Sequence, residues 1–422
     1  MEDFTIMRID KTDIDNKVDS LNHLLNSSLK DIVNTLPTIR QVFKSYGLYE
    51  IENPDIFEKI GSVLKLSTFL RHRKIDTDEF LKRFRESFEY STPDNFQDNL
   101  LVGNPTFLAL LPCGLKAGIN GALEKFAEQQ QLKNTPFTYR AEANVNHELS
   151  FYSYIDSIQS ENELPDVIVS SDLNSFLHSQ FITRFVNKDI FTNAQSEINS
   201  TLKAVHYADP NNNYTMFSAN PLVMVHVRDT TSSVPTPVSW KDILSPQFRK
   251  KVIIRGQDNF FCSAVLLPFY RLFGMDAVLS LAESVIDGMH PSQMVKQIDS
   301  AQSDIAPIYI MPLFFAKKIK RTDRIEIIFP HEGVFISPVT LLIKKSPSAN
   351  TSEITDYLLG LELQQYCADN FFLSVHPDVK NPIMPTNKLY WIGWDFIYNN
   401  DLLSIKNLLG SKFTSTFLAG RI

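Results

Sequence analysis

What most constrains this chain is a change of periodicity near residue 90. Before it, apolar residues recur at helical spacing. After it, short β-like apolar runs alternate with helical stretches. Over 1–88, Ser28-Leu-Lys-Asp31 reads as a capping box, and Leu29, Ile32, Val33 and Leu36 follow on one face. Pro37 interrupts the helix; Ile39, Val42, Phe43 and Tyr46 carry the stripe to Gly47, a C′ residue. Asn53-Pro54 marks a turn, Ile56, Ile60, Val63 and Leu64 continue the pattern, and Asp76–Glu79 caps a helix bearing Phe80, Leu81 and Phe84. Four or so short helices without a sheet are expected.

The polar stretch 91–98 reads as a linker. Beyond it come a strand-like run at 99–110, a helix at 118–130, a strand at 137–143, a helix at 151–158 and the apolar strand Asp166–Ser170. Leu222–Val227, Val252–Ile254, Ile305–Ile310, Glu326–Phe329 and Thr340–Lys344 read as further strands. A long helical stretch runs from Cys262 to Ile286, and helices fill most of the C-terminal remainder. Strands alternating with helices imply a parallel sheet covered on both faces.

Composition excludes several classes. Hydrophobic residues at 43% and charged residues at 21% describe a globular chain, and its 422 residues suggest two or three domains. A net charge of −7 makes nucleic acid or an anionic membrane an unsuitable main partner. Three widely spaced cysteines, with no CxxC pair, exclude a disulfide framework or structural zinc, and no cofactor is expected. The start carries acids where a signal peptide needs bases, and no apolar run reaches the ~20 residues of a membrane span. A cytoplasmic monomer is therefore expected, periplasmic or surface-exposed only if the true N-terminus differs. GxSxG, P-loop, HExxH and GxGxxG motifs are all missing, which fits a non-enzyme.

Four segments carry a resemblance. They are Pro165–Asp172 ("PDVxxS"), Ser218–Val227, Val238–Val252 ("SWxDLLxPxYKGKV") and Phe329–Pro338 ("xPxDGAxxxP"). In this order the block 97–422 resembles the type II periplasmic substrate-binding proteins of ABC transporters, in the branch of ferric-iron, thiamine and polyamine binders. The resemblance implies a two-lobed α/β Venus-flytrap domain, with lobe I about 97–217 and 330–422 and lobe II about 223–325. A small solute, anionic or metal-complexed, would bind between the lobes by hinge closure, in an intracellular binding or sensing protein. The alternatives are a transport receptor whose export signal is missing, or a redox or metallocluster-enzyme accessory using Cys113. Residues 1–90 resemble the small helical domain that accompanies hybrid-cluster and iron–sulfur-repair proteins, through Leu36-Pro37, Val42–Leu48 and Ile75–Leu81. Many relatives carry cysteines after the "GL"; this chain has Tyr49–Asn53 there, so a role in docking a protein partner is the reading kept.

In such a binder the carboxyl ends of strands and the following helix N-termini face the cleft. The candidate ligand residues are therefore Asn104, Thr106 and Cys113 after the first strand, Ser170, Ser171 and Asp172 after another, and Arg255, Asp258 and Asn259 after 252–254. Cys113 reads as a buried small hydrophobe or as a helix-N-terminal thiol of lowered pKa. Ser171 and Asp172 read equally as caps of a following helix. Arg255 could grip an oxyanion bidentately, or be a solvated turn residue. As an exposed arginine in an open cleft it would contribute little to stability. Tyr309 reads as ligand or core tyrosine, and no Tyr-Tyr pair exists for ferric coordination. His331–Glu332 and His147–Glu148 read as surface loops.

Overall fold

The computed structural model describes residues 24–35, 39–78, 80–81, 106–133, 137–143, 155–232, 234–257, 260–300, 302–347, 351–383 and 388–420. These group into two compact units, one within 1–106 and 146–165 and the other within 107–145 and 166–422.

The first unit is helical: α1 (Leu29–Thr35), α2 (Ile39–Ser45), α3 (Pro54–Gly61) and α4 (Leu66–Arg73). Local chemistry sets their ends. Ser28 Oγ accepts the Asp31 N–H at 3.1 Å and donates to Asp31 Oδ2 at 2.6 Å. Asn53 accepts from the N–H groups of Asp55 and Ile56 ahead of Pro54, where a missing N–H costs nothing. Gly47 takes the left-handed φ of +86° that lets the chain turn after α2. Leu29, Ile32, Phe43, Phe57, Ile60, Phe69 and Phe80 form the core, with Phe43 edge-on to Phe69 and stacked on Phe80. A single antiparallel bridge, Ser28 with Lys65, is the only β pairing among the unit's described residues. Pro37, Glu79 and Phe84 lie outside the described residues, as do 151–154 of the helix expected at 151–158; residues 156–157 form a turn.

Glu163, buried in this unit, caps its own turn by accepting the N–H groups of Gln159 and Ser160. It also takes bonds from Thr68 and Arg71 of α4.

The second unit is an α/β fold on a mixed sheet. Its strands are β1 (Phe107–Leu111), β2 (Tyr139–Ala143), β3 (Val167–Ser171), β4 (Phe191–Thr192), β5 (Thr215–Val227), β6 (Val252–Gln257), β7 (Phe260–Phe261), β8 (Val285–Met289), β9 (Ile308–Pro312), β10 (Ile325–Ile328), β11 (Val334–Lys344), β12 (Leu373–Ser374) and β13 (Leu389–Tyr390). The main order is β2-β1-β3-β11-β5-β9-β6-β7. The expected all-parallel sheet is corrected. β1 is parallel to β2 and β3, and β6 to β8 and β9, but β11 is antiparallel to β3 and β5, and β5 to β9 and β10. The reason is that β5 and β11 are long crossing strands that carry the chain between lobe I (β1–β3) and lobe II (β6, β8, β9). Both are buried almost throughout.

Two helices border the site below, α5 (Cys113–Leu132) and α8 (Pro291–Asp299); α6 (Ser263–Phe273) and α7 (Met275–Ser284) lie between them in the chain. α5 begins five residues earlier than its sequence suggests. The single helix expected from Cys262 to Ile286 is corrected too: Gly274, at φ +84°, divides it, and its tail becomes β8 because Val285–Met289 pairs with β6.

Two of the motif segments fold together. Buried Trp240 donates from Nε1 to the Gly333 carbonyl at 2.8 Å and stacks on Phe335 at 4.2 Å. Glu332 accepts the N–H groups of Trp240 and Lys241, so its role is to clamp a turn.

Candidate functional site

Topology sets the site. β3 is antiparallel to β11, β11 to β5, and β5 to β9. β1 and β3 therefore run opposite to β6 and β9, and the carboxyl ends of the two pairs meet head-on. One cavity lies there. Pro112, Cys113 and Gly114 line it after β1, Ser171 and Asp172 after β3, Arg255 near the end of β6 and Pro312 at the end of β9. Asn220 from β5 and His290-Pro291 from the start of α8 complete the polar side; Phe314, Phe315 and Phe372 supply an aromatic wall. The cavity's free volume is about 30 Å³, room for roughly one water.

An ion pair spans it. Arg255 Nη1 lies 3.0 Å from Asp172 Oδ2, and the two side chains are only 16% and 10% exposed. Ser337 Oγ of β11 donates to the other carboxylate oxygen at 2.5 Å, and the Asp172 N–H donates to the Pro338 carbonyl. Asp172 holds a left-handed φ of +67°, sparsely populated for any residue with a side chain. Burial opposes the Arg255 charge, but the neighbouring Cys262 and Asp172, with the Asp172 hydrogen bond, outweigh it and raise the guanidinium's pKa. The sequence's picture of an exposed arginine in a turn is corrected: Arg255 is a strand residue, paired across the cavity.

The remaining candidates separate. Ser171 lines the cavity. Its neighbour Ser170 points to the opposite face, as alternate strand residues must, and bonds Thr340 Oγ1 at 3.0 Å. Neither Ser171 nor Asp172 caps the next turn, which Asn174 does by accepting the Phe176 N–H. Cys113 is the first residue of α5, a helix without a side-chain cap. Its thiol pKa is nonetheless raised, by burial first, with Arg255 opposing, so of the two readings the low-pKa thiol is the one that fails: desolvation exceeds the helix-end effect. Tyr309 is fully buried, with its hydroxyl donating to Gln297 Oε1 at 2.7 Å, and is a core residue away from the cavity wall. Thr106 is buried just ahead of β1 and belongs to the helical unit. Asn104, Asp258 and Asn259 lie outside the described residues.

Sequence reasoning missed Asn220 and His290. Asn220 is buried and its Oδ1 has no hydrogen-bond partner. A polar residue beside Pro221, just ahead of the apolar run 222–225, was the available signal. His290 Nδ1 accepts the Ser292 N–H, which leaves the proton on Nε2, and its pKa is lowered by burial and by Arg255. Its cue was the capping sequence His-Pro-Ser-Gln, hidden by reading 285–286 as helix. Among the described residues no group of three or more acidic, histidine or cysteine side chains could hold a metal ion. A larger groove of about 900 Å³, walled by Tyr207, Tyr390, Trp391 and Trp394, is lined by none of the residues singled out from sequence.

The model of a bacterial extracellular solute-binding protein family matches residues 162–400. The chain belongs to that family. The matched span takes in Ser171, Asp172, Asn220, Arg255 and His290, and so most of the cavity's polar wall. Solved structures with the same fold include the periplasmic binding protein P5PA (15% identity, TM-score 0.54, covering 74% of this chain and 99% of that one). Another is an apo ferric ion-binding protein A of Pasteurella haemolytica (16%, 0.50, 75% and 96%). A third is the periplasmic binding protein AfuA of Actinobacillus pleuropneumoniae, with fructose-6-phosphate bound (12%, 0.52, 74% and 97%). No curated protein matches the chain. The family is one of solute binders associated with ABC transporters, and no helix among the described residues is long and apolar enough to cross a membrane.

Proposed function

We propose that this family member binds a small solute in the cavity between β1/β3 and β6/β9, and that the lobes close on it by bending at the β5 and β11 crossings. One observation carries the reading: four strand ends from two lobes converge on a single cavity whose polar groups include a largely enclosed cation, Arg255. The solute brings an anionic group to Arg255, and the uncapped start of α5 adds N–H groups of the same preference. Solutes named for the similar structures, a ferric ion and a sugar phosphate, are compatible with an anionic or metal-complexed ligand here. Native mass spectrometry of the freshly purified chain should show a co-purified small molecule. That molecule added back to stripped protein should lower the radius of gyration in solution scattering. An unchanged radius at saturation would sink hinge closure as the mechanism.

Service as an intracellular sensor belongs to the same proposal. Fractionation that recovers the chain with periplasmic or membrane markers would replace it with the part of a transport receptor.

A further inference from the structure

Resting on that reading, the cavity's charge balance narrows the solute. Among the described residues lining it, Arg255 is the one arginine or lysine, and it faces the Asp172 carboxylate at 3.0 Å, so that pair is neutral. His290, with Nδ1 engaged by Ser292 and its pKa lowered, adds no charge near neutral pH. Beside them stands a second acceptor: Oδ1 of Asn220, a residue only 7% exposed, makes no hydrogen bond. A bare anion that takes up Arg255 would leave the Asp172 carboxylate, only 10% exposed, without its counter-charge. It would also leave the Asn220 acceptor without a donor.

We propose that the cavity selects zwitterionic solutes, with an anionic group held by Arg255 and an ammonium or equivalent N–H donor held by Asp172 and Asn220. Asp172 is then the selectivity residue. While the site is unoccupied its carboxylate fills the arginine's anion position, and it turns simple anions away by like-charge repulsion. A zwitterion opens the pair and satisfies both halves at once. Ser337 and the Pro338 carbonyl, which hold Asp172 in its left-handed conformation, keep the carboxylate aimed at the gap.

Matched probes test this by calorimetry on the full chain: acetate against glycine, and ethanesulfonate against taurine. Each pair shares an anionic head and differs by an ammonium. The wild-type protein should prefer the zwitterion of each pair by about tenfold or more. Asp172→Asn, nearly isosteric and tolerant of the same φ, should erase or invert that preference by gaining affinity for the plain anions. Asp172→Gly, at ease with positive φ, should do the same and guards against a folding artefact. Arg255→Gln should lose both members of each pair. Equal binding of both members by the wild-type protein, or an unchanged ratio in both Asp172 variants, overturns the zwitterion inference and leaves the solute site standing. Binding of every probe unaffected by Arg255→Gln overturns the site itself, as does no binding of any probe to any variant.

Discussion

Arg255 shows how burial changes the meaning of a residue. Read in sequence, it follows an apolar strand and looks removable. In the structure, removing it strands the Asp172 carboxylate at 10% exposure. Arg255→Ala should therefore destabilise the unliganded protein by about 3–5 kcal/mol, the usual cost of breaking a buried pair from one side. Asp172→Ala/Arg255→Ala together should cost less than the sum of the singles. Denaturation of the four proteins checks this, and additivity within error would mean the pair does not couple. A pH test belongs at the same scale. His72, His226 and His290 all have lowered pKa values, with burial as the first cause. A histidine depressed in the folded state binds its proton more readily when unfolded, so stability is present above about pH 6.5 and lost as pH falls below it. The melting temperature should drop between about pH 7 and 5.5, less steeply in His290→Gln. A flat profile would count against the burial of these rings.

Among the elements, α4 and the crossing strands are the most informative. Glu163 is 3% exposed and holds Arg71 and Thr68 of α4 together with two backbone N–H groups. Glu163→Ala should cost about 2–4 kcal/mol in the helical unit, since it leaves Arg71 and those N–H groups short of an acceptor. Near-native melting would show that α4 is held by its apolar face alone. Residues 1–90 were expected to fold as a domain, and we propose that they do so only weakly, because that fragment lacks Glu163 and also Ser157, whose carbonyl accepts from Arg71 Nε and whose Oγ bonds His72 Nδ1. Its helical signal should melt at lower temperature than that of a longer fragment spanning 1–165. In the second unit, Pro221 of β5 faces Ile336, and Pro338 of β11 faces Ala219. Each proline removes a ladder donor, and the register shifts after Val339, so the crossing is a pliable place in an otherwise buried sheet.

At the level of the whole molecule, the ion pair joins the end of β3 to β6 across the cavity. Asp172→Gly should shift the population toward open forms and enlarge the radius of gyration relative to the unliganded wild-type protein. The same radius in both would show that the pair does not bias the balance between open and closed forms.

What the sequence determined by itself is the local layer. Ser28 announced its helix because a cap is a bond between near neighbours, and Asn53-Pro54, read as a turn, caps α3 for the same reason. β3 and the second half of the lobe-crossing β5 stood out through the apolar runs 167–169 and 222–225, because a strand buried on both faces is largely apolar. The strand-end rule also put Ser171, Asp172 and Arg255 on one short list, and the structure gathers them around one cavity. Tertiary structure alone decided the rest. β8 exists because β6 offers it a partner, not because Val285–Met289 prefers a strand. α5 begins at Cys113 despite its glycines because those glycines admit rings: a Cβ on Gly114 would sit 2.8 Å from Phe372 and 2.9 Å from Phe314. Arg255 and Asp172, 83 positions apart, meet only after β5 and β11 have set the two lobes against each other. No local pattern encodes that meeting. It follows from the antiparallel crossing that turns four strand ends toward one point, and burial there converts two ordinary charges into a pair that must be satisfied together.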